Sequence, residues 1–368
     1  MKYFCMPADF TRGTIDAYAR LNRKYGESQV LETYGNVSVA NIMASGRPVA
    51  SIPQVDFEQL SDYVGYSRKK GFDFCYTINA SYMQNQEFTS DGIKKIKGFL
   101  NKLEQAGVRC VIVALPSLME LIRESGYDFE IKASVISQIN TANKAMAFKK
   151  MGVDRISLDE SINRDFDSLK RIRDSFGNKV EVIVNSVCHQ DCHYRMFHYN
   201  QISGDSVDFS NEVSSTYYKS RCAIRLCDDV SGFLKITWIR PEDLRYYTNI
   251  DIEYFKLQGR QTVLRGDPAR TVEYYFKEEY DGELKDLLFM FAPADNFRLK
   301  IQNKSLDGFI KPFAEVNGFC AKDCTSCNYC ENFARKVIDY DDTRNSLREV
   351  HDYLAANDPY KKIINANG

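Results

Sequence analysis

One phrase recurs three times in the first half of the chain: a helix-forming run, a glycine, then a short apolar strand. It reads KKGFDFCYTINA at Gly71, QAGVRCVIVAL at Gly107 and KMGVDRISLDES at Gly152. Helices end readily on a residue with left-handed backbone, which glycine adopts without steric cost. Each glycine therefore marks a helix C-terminus running into a strand. Strands and helices alternating at this interval argue for parallel βαβ units. Further strands are predicted at 3–8, 29–35, 130–139, 180–184, 234–239 and 254–260. TIDAYARLNRKY (14–25) and TANKAMAFKKM (141–151) read as amphipathic helices, and Asp267-Pro268 opens another with a cap and a first-turn proline. Eight or nine strands suit a closed TIM-like (β/α)8 barrel over residues 1–280 better than an open sheet. The polar, Ser-rich stretch 201–220 has no periodicity and reads as a loop. Residues 281–368 lose the alternation and form an irregular and helical, Cys-rich extension ending in a charged helix around 342–355.

The strand KVEVIVN ends abruptly in sulfur and imidazole chemistry: Cys188, His189, Cys192, His193 and His198. Three of the four histidines fall within ten residues here. Loops at strand C-termini line the open face of an α/β barrel, so this is where a metal or active site is expected. With Cys222 and Cys227, taken to lie at neighbouring strand ends, the loop offers four thiolates. That donor set suits an iron–sulfur cluster, and mixed Cys and His ligation makes zinc the rival. Farther along, Cys320-x3-Cys324-x2-Cys327-x2-Cys330 places four thiols within eleven residues. Such a compact run holds zinc or an iron–sulfur cluster. Its first three members also satisfy the CxxxCxxC spacing of radical S-adenosylmethionine enzymes, but they follow the barrel instead of sitting in its first loop. Cys5, Cys75 and Cys110 each lie within an apolar strand and read as small core residues.

Basic residues recur where strands end: Arg47, Arg164, Arg240, Lys256 and Arg260, with Asn79 beside them. A barrel mouth gathers groups from several strands, so this pattern points to an anionic small-molecule substrate or co-substrate. The competing reading pairs each with a local acid such as Asp159, Glu160, Glu242 or Asp243. His189, His193 and Asp243 are the candidates for moving protons. The net charge of −1 gives no electrostatic footprint for nucleic acid or an anionic membrane. No apolar stretch approaches the roughly 18 residues that span a bilayer, and the N-terminus lacks the pattern of a signal peptide. A cytoplasmic location follows as an expectation, and there eleven cysteines suggest core residues and metal ligands instead of disulfides.

The order CHQDCHYR from Cys188, RPEDL from Arg240 and KLQGR from Lys256 resembles the collagenase-like peptidase family of unassigned catalytic type, peptidase family U32. The likeness spans roughly residues 1–280 and is most specific over 185–260. It implies a barrel-like fold and a peptidase designation. Related iron–sulfur proteins carry out oxygen-independent hydroxylation of a ubiquinone precursor or of RNA bases, with prephenate as oxygen source. The family pattern carries a 4Fe-4S cluster onto Cys188 and Cys192, while Cys222 and Cys227 join them only by proximity. Gln258 stands where the family has an acidic residue. The resemblance thus implies an iron–sulfur modifying enzyme of hydroxylation type, acting on a small or RNA-borne substrate. Two alternatives stand beside it: a metal-dependent collagenase-like peptidase, and a zinc-stabilised binding protein without catalysis. A partner protein of the same family is a further expectation.

Overall fold

The computed structural model describes residues 1–366 apart from 40, 44, 49–50, 207–211 and 295–299. Eight parallel strands close into a barrel in sequence order. They are β1 (Lys2–Pro7), β2 (Ser28–Gly35), β3 (Asp73–Ile78), β4 (Cys110–Val113), β5 (Glu130–Ala133), β6 (Arg155–Ser157), β7 (Val180–Ile183) and β8 (Tyr254–Lys256). The crossovers are α1 (Arg12–Lys24), α2 (Phe57–Lys69), α3 (Ser90–Gln105), α4 (Pro116–Glu124), α5 (Ala142–Lys150) and α6 (Phe166–Phe176). Local chemistry starts and stops these helices. Thr11, Thr89, Thr141 and Asp165 accept from backbone amides as N-caps, and Asp56 forms a capping box with Gln59. At the other end, Gly71, Gly107 and Gly152 adopt φ of +87°, +81° and +83°. In each case the next residue, Phe72, Val108 or Val153, donates back five positions to close the turn and buries its side chain.

Outward-facing strand residues such as Phe4, Val30, Phe74, Val111, Ile131 and Phe255 are buried under the helical layer. The barrel interior is different, because each strand sends in a polar or sulfur side chain: Cys5, Glu32, Cys75, Cys110, Lys132, Arg155, Glu181 and Lys256. Lys132 Nζ pairs with Glu32 and lies 2.7 Å from Glu181, and Arg155 reaches Glu32 at 3.0 Å. Burial alone would raise both carboxyl pKa values, but the adjacent cations outweigh it and hold both below the usual range. Mutual neutralisation is what makes this layer tolerable in a dry interior.

Between β7 and β8 the chain departs from the expected pattern. Residues 201–206 belong to α7 (Arg195–Asp205) and its end, and 212–220 to α8 (Glu212–Asp228), so the expected loop is helical wherever it is described. The strand expected at 234–239 is also absent. The helical turn α9 (Gly232–Lys235) occupies its start, and the rest runs extended outside the ladder, with Ile239 N donating to Val184 O at 2.7 Å. After α10 (Leu244–Thr248), the strand expected over 254–260 stops at Lys256, and the one expected over 130–139 stops at Ala133.

Beyond β8 come α11 (Pro268–Lys277), α12 (Leu284–Leu288), α13 (Lys311–Glu315), α14 (Tyr329–Val337), α15 (Tyr340–Ala356) and α16 (Pro359–Ala366). This region packs on the barrel. Phe309 meets Trp238 with ring centroids 5.9 Å apart, α15 lies along α8, and Arg221 of α8 pairs with Asp358 at 2.6 Å. Among the described residues no helix is long and apolar enough to cross a membrane.

Candidate active site at the barrel mouth

The C-terminal ends of the strands surround a cavity of about 360 Å³. Arg47, Lys219, Lys256 and Arg260 contribute cations to its wall, and its described lining holds no aspartate or glutamate. Arg260 is 6% exposed. Its Nη1 donates to Asn36 Oδ1 and to Thr77 Oγ1 at 2.9 Å, and Nη2 lies 3.5 Å from Asn79 Oδ1. These partners are all neutral. Burial, with Arg47 next, lowers the Arg260 pKa to about 10. Gly259 makes this placement possible: its φ is +143°, and a Cβ there would fall 2.3 Å from Met290 Cε. Arg47 donates from Nε to Gln261 Oε1 at 3.1 Å and from Nη1 to its neighbour's carbonyl. Lys256 Nζ sits 4.2 Å from the Tyr34 ring centroid and 3.8 Å from Glu181, joining the mouth to the charged layer beneath.

The Cys/His loop forms the rim. Arg195, buried in the first turn of α7, pins it by pairing with Asp159 and donating to His189 O at 2.6 Å. Cys188 is half-buried in the cavity wall, and burial, with Glu160 beside it, pushes its thiol pKa up. Cys192 and Cys222 hydrogen-bond to each other. Within that pair Cys192 is the stronger acid and the Cys222 thiol keeps its proton. His189 faces the Cys222 carbonyl, Nε2 to O 3.1 Å. Cys188, Cys192 and Cys222 therefore gather at one rim. Cys227, which lies on α8 and not at a strand end, lines a separate cleft with Asp228 and His351.

The donor set of Cys188, Cys192 and Cys222 suits a thiolate-held metal group. Among the described residues, groups of three ligand atoms within 4.8 Å of one another occur only inside the barrel, around Glu32. The second cysteine group is compact: Cys320, Cys324, Cys327 and Cys330 all line one cavity of about 20 Å³ outside the barrel.

The other candidates separate. Asn79 lines the mouth with Arg47, Lys256 and Arg260, but Arg164 and Arg240 do not. Arg240 is buried in a two-pronged pair with Asp243, at 2.9 and 3.0 Å, and also reaches Asp307 at 3.0 Å. That pair occupies Asp243 as well, far from any proton transfer at the mouth. Arg164 sits among Trp238, Phe309 and Phe313. His193 is exposed and packs against Tyr194. The imidazole that does reach the cavity belongs to His198. It stacks on Tyr218, its Nε2 is buried without a partner, and burial, reinforced by Arg47 and Lys219, lowers its pKa to about 4. Glu160 is the other residue sequence reasoning passed over as a possible participant. It is 1% exposed and lies beside the Cys188 thiol. Its position directly after β6 was the available sign.

A model of peptidase family U32 matches residues 49–221. The chain is 30% identical over 324 residues to the uncharacterized protease MJ1657 of Methanocaldococcus jannaschii, covering 88% of this chain and 93% of that protein. The chain belongs to peptidase family U32. Its fold is likewise that of the U32 peptidase Mk0906, with a TM-score of 0.51 and 17% identity over 70% of this chain and 94% of the other.

Proposed function

We propose that this U32 protein is an oxygen-independent modifying enzyme of hydroxylation type, which binds a small anionic substrate or co-substrate beside an iron–sulfur cluster at the barrel mouth. The observation that carries the reading is Arg260: a buried guanidinium with neutral partners only, in a cavity whose described wall has four cations and no acid. A buried cation without an anion is costly, and a carboxylate or phosphate entering the cavity removes that cost. Arg47, in the loop after β2, and Lys256, the last residue of β8, then hold the same anion. Cys188, Cys192 and Cys222 would hold the cluster, which when bound supplies a Lewis-acidic, redox-active iron at the cavity wall. His198, neutral at physiological pH, is placed to accept a proton, and Glu160 stands behind Cys188 as a second acceptor.

Anaerobic purification tests the reading, with iron, acid-labile sulfide and zinc counted per chain in wild type and Cys192→Ser. Iron with sulfide, lost from the rim in the variant, is expected. Zinc without sulfide would refute the cluster. Cleavage of gelatin that disappears in Cys188→Ser would restore the peptidase.

A further inference from the structure

Arg164 occupies an unusual place for a cation. It is 5% exposed, and its guanidinium carbon lies 4.6, 4.8 and 5.7 Å from the ring centroids of Trp238, Phe309 and Phe313. Nη1 donates to the carbonyl of Leu234, while Nε and Nη2 have no hydrogen-bond partner. Among the described residues no carboxylate lies within ion-pair distance of it, whereas Lys235 next door is paired with Asp229 at 2.6 Å. The aromatic box therefore holds an uncompensated charge in a dry place, where an ionic partner counts most.

A candidate anion is sulfur. Phe313 belongs both to the Arg164 box and to the wall of the small cavity lined by Cys320, Cys324, Cys327 and Cys330, and Lys235 lines the same cavity. Of the acidic groups around Arg164, Cys330 is the one placed to act on it most strongly when ionised, ahead of Tyr247, Asp243 and Cys320. As neutral thiols these cysteines offer Arg164 nothing. Gathered on a metal core they become thiolates, and four thiolates against a core charge of about +2 leave the centre negative, whether the core is zinc or a 4Fe-4S cluster.

We propose that Arg164 is the counter-cation of an anionic metal–thiolate centre held by Cys320, Cys324, Cys327 and Cys330. Arg164 does not touch the metal; it is a positioning residue that makes metal retention depend on a side chain of the barrel. The inference rests on the reading that these four cysteines bind metal, and the two can fail separately.

The test uses the full chain in a Cys188→Ser/Cys192→Ser background, purified anaerobically, so that the remaining metal reports on the C-terminal group. Metal per chain is counted, and its transfer to a chelator is followed in the parent, Arg164→Met, Arg164→Lys and Cys324→Ser. Arg164→Met is expected to lose metal at least about tenfold faster, and any iron–sulfur centre should also show a lower midpoint potential. Arg164→Lys is expected to hold its metal nearly as well as the parent. Equal release rates and potentials in the parent and a folded Arg164→Met would overturn the proposal. So would equal loss from Arg164→Lys and Arg164→Met, because charge would then not be what matters. Metal content unaffected by Cys324→Ser would overturn the metal reading itself, and the inference with it.

Discussion

Replacing Arg260 with methionine should move stability and binding in opposite directions. Methionine roughly keeps the length and apolar stem but removes the charge. The guanidinium pKa falls from its ordinary 12.5 to about 10 in the fold, a difference worth about 3 kcal/mol against the folded protein at neutral pH. Because the folded value is the lower one for a base, this penalty is complete below about pH 10 and is relieved only as pH rises toward the unfolded value. Methionine removes it at every pH. The acceptors left behind keep other donors: Asn79 Oδ1 still takes the Gly46 amide at 3.1 Å, and Asn36 Oδ1 the Thr77 hydroxyl at 3.2 Å. Allowing about 1–2 kcal/mol for the lost hydrogen bonds and packing, unfolding in urea should cost about 1–2 kcal/mol more for Arg260→Met than for wild type. Binding should suffer instead. A charge-assisted hydrogen bond is worth about 1.5–3 kcal/mol, so the affinity for phosphate or malonate, followed by calorimetry, should fall about tenfold to a hundredfold. A variant destabilised by more than about 2 kcal/mol that still bound these anions normally would refute the argument.

Two further outcomes follow from the interior and the rim. Lys132→Met leaves Glu181 with Lys256 at 3.8 Å as its remaining cation, and should cost about 3–5 kcal/mol in urea unfolding, part of it recovered by adding Glu181→Gln. A loss below about 1 kcal/mol would mean the layer is not held by charge. His198 has a folded pKa below that of the unfolded chain, so the stability it contributes is complete above about pH 6.5 and should drain away as pH falls toward 4. Imidazole titration followed by NMR checks this: Arg47→Ala should raise the His198 midpoint, and an unshifted midpoint near 6.5 in wild type would contradict the burial argument.

Much of the barrel was legible because its cues are local. Glycines at 71, 107 and 152, caps such as Thr89 and Asp165, and short apolar strands need no tertiary context to be recognised. The misreadings arise where context decides. LKITWI alternates like a strand, yet Asp229 Oδ1 takes the Ser231 amide at 2.9 Å and turns the chain into α9 before any ladder can form. The Ser-rich run before Cys222 has no periodicity to announce a helix, and residues 212–220 become helical in α8, along which α15 packs. Basic residues at strand ends look alike in sequence, but Arg240 finds an acid three residues on, whereas Arg260 finds none. The charged layer was visible only as single ionisable letters inside apolar strands, as in Glu181 of KVEVIV and Lys132 of EIKAS, and nothing local says that such letters meet.

That layer also constrains the order of assembly. Glu32 arrives early in the chain, while its neutralising partners Lys132 and Arg155 arrive 100 and 123 positions later, and Glu181 shares Lys132 from the far side. An early fragment ending before β5 would have to bury a carboxylate with no cation to meet it, so the first strands gain little by closing alone. Ring closure becomes a single late event that needs distant parts of the chain together. Nascent chains should stay open and dependent on assistance until β6 has emerged, and half-barrel fragments should fail to fold unless the complementary half is supplied.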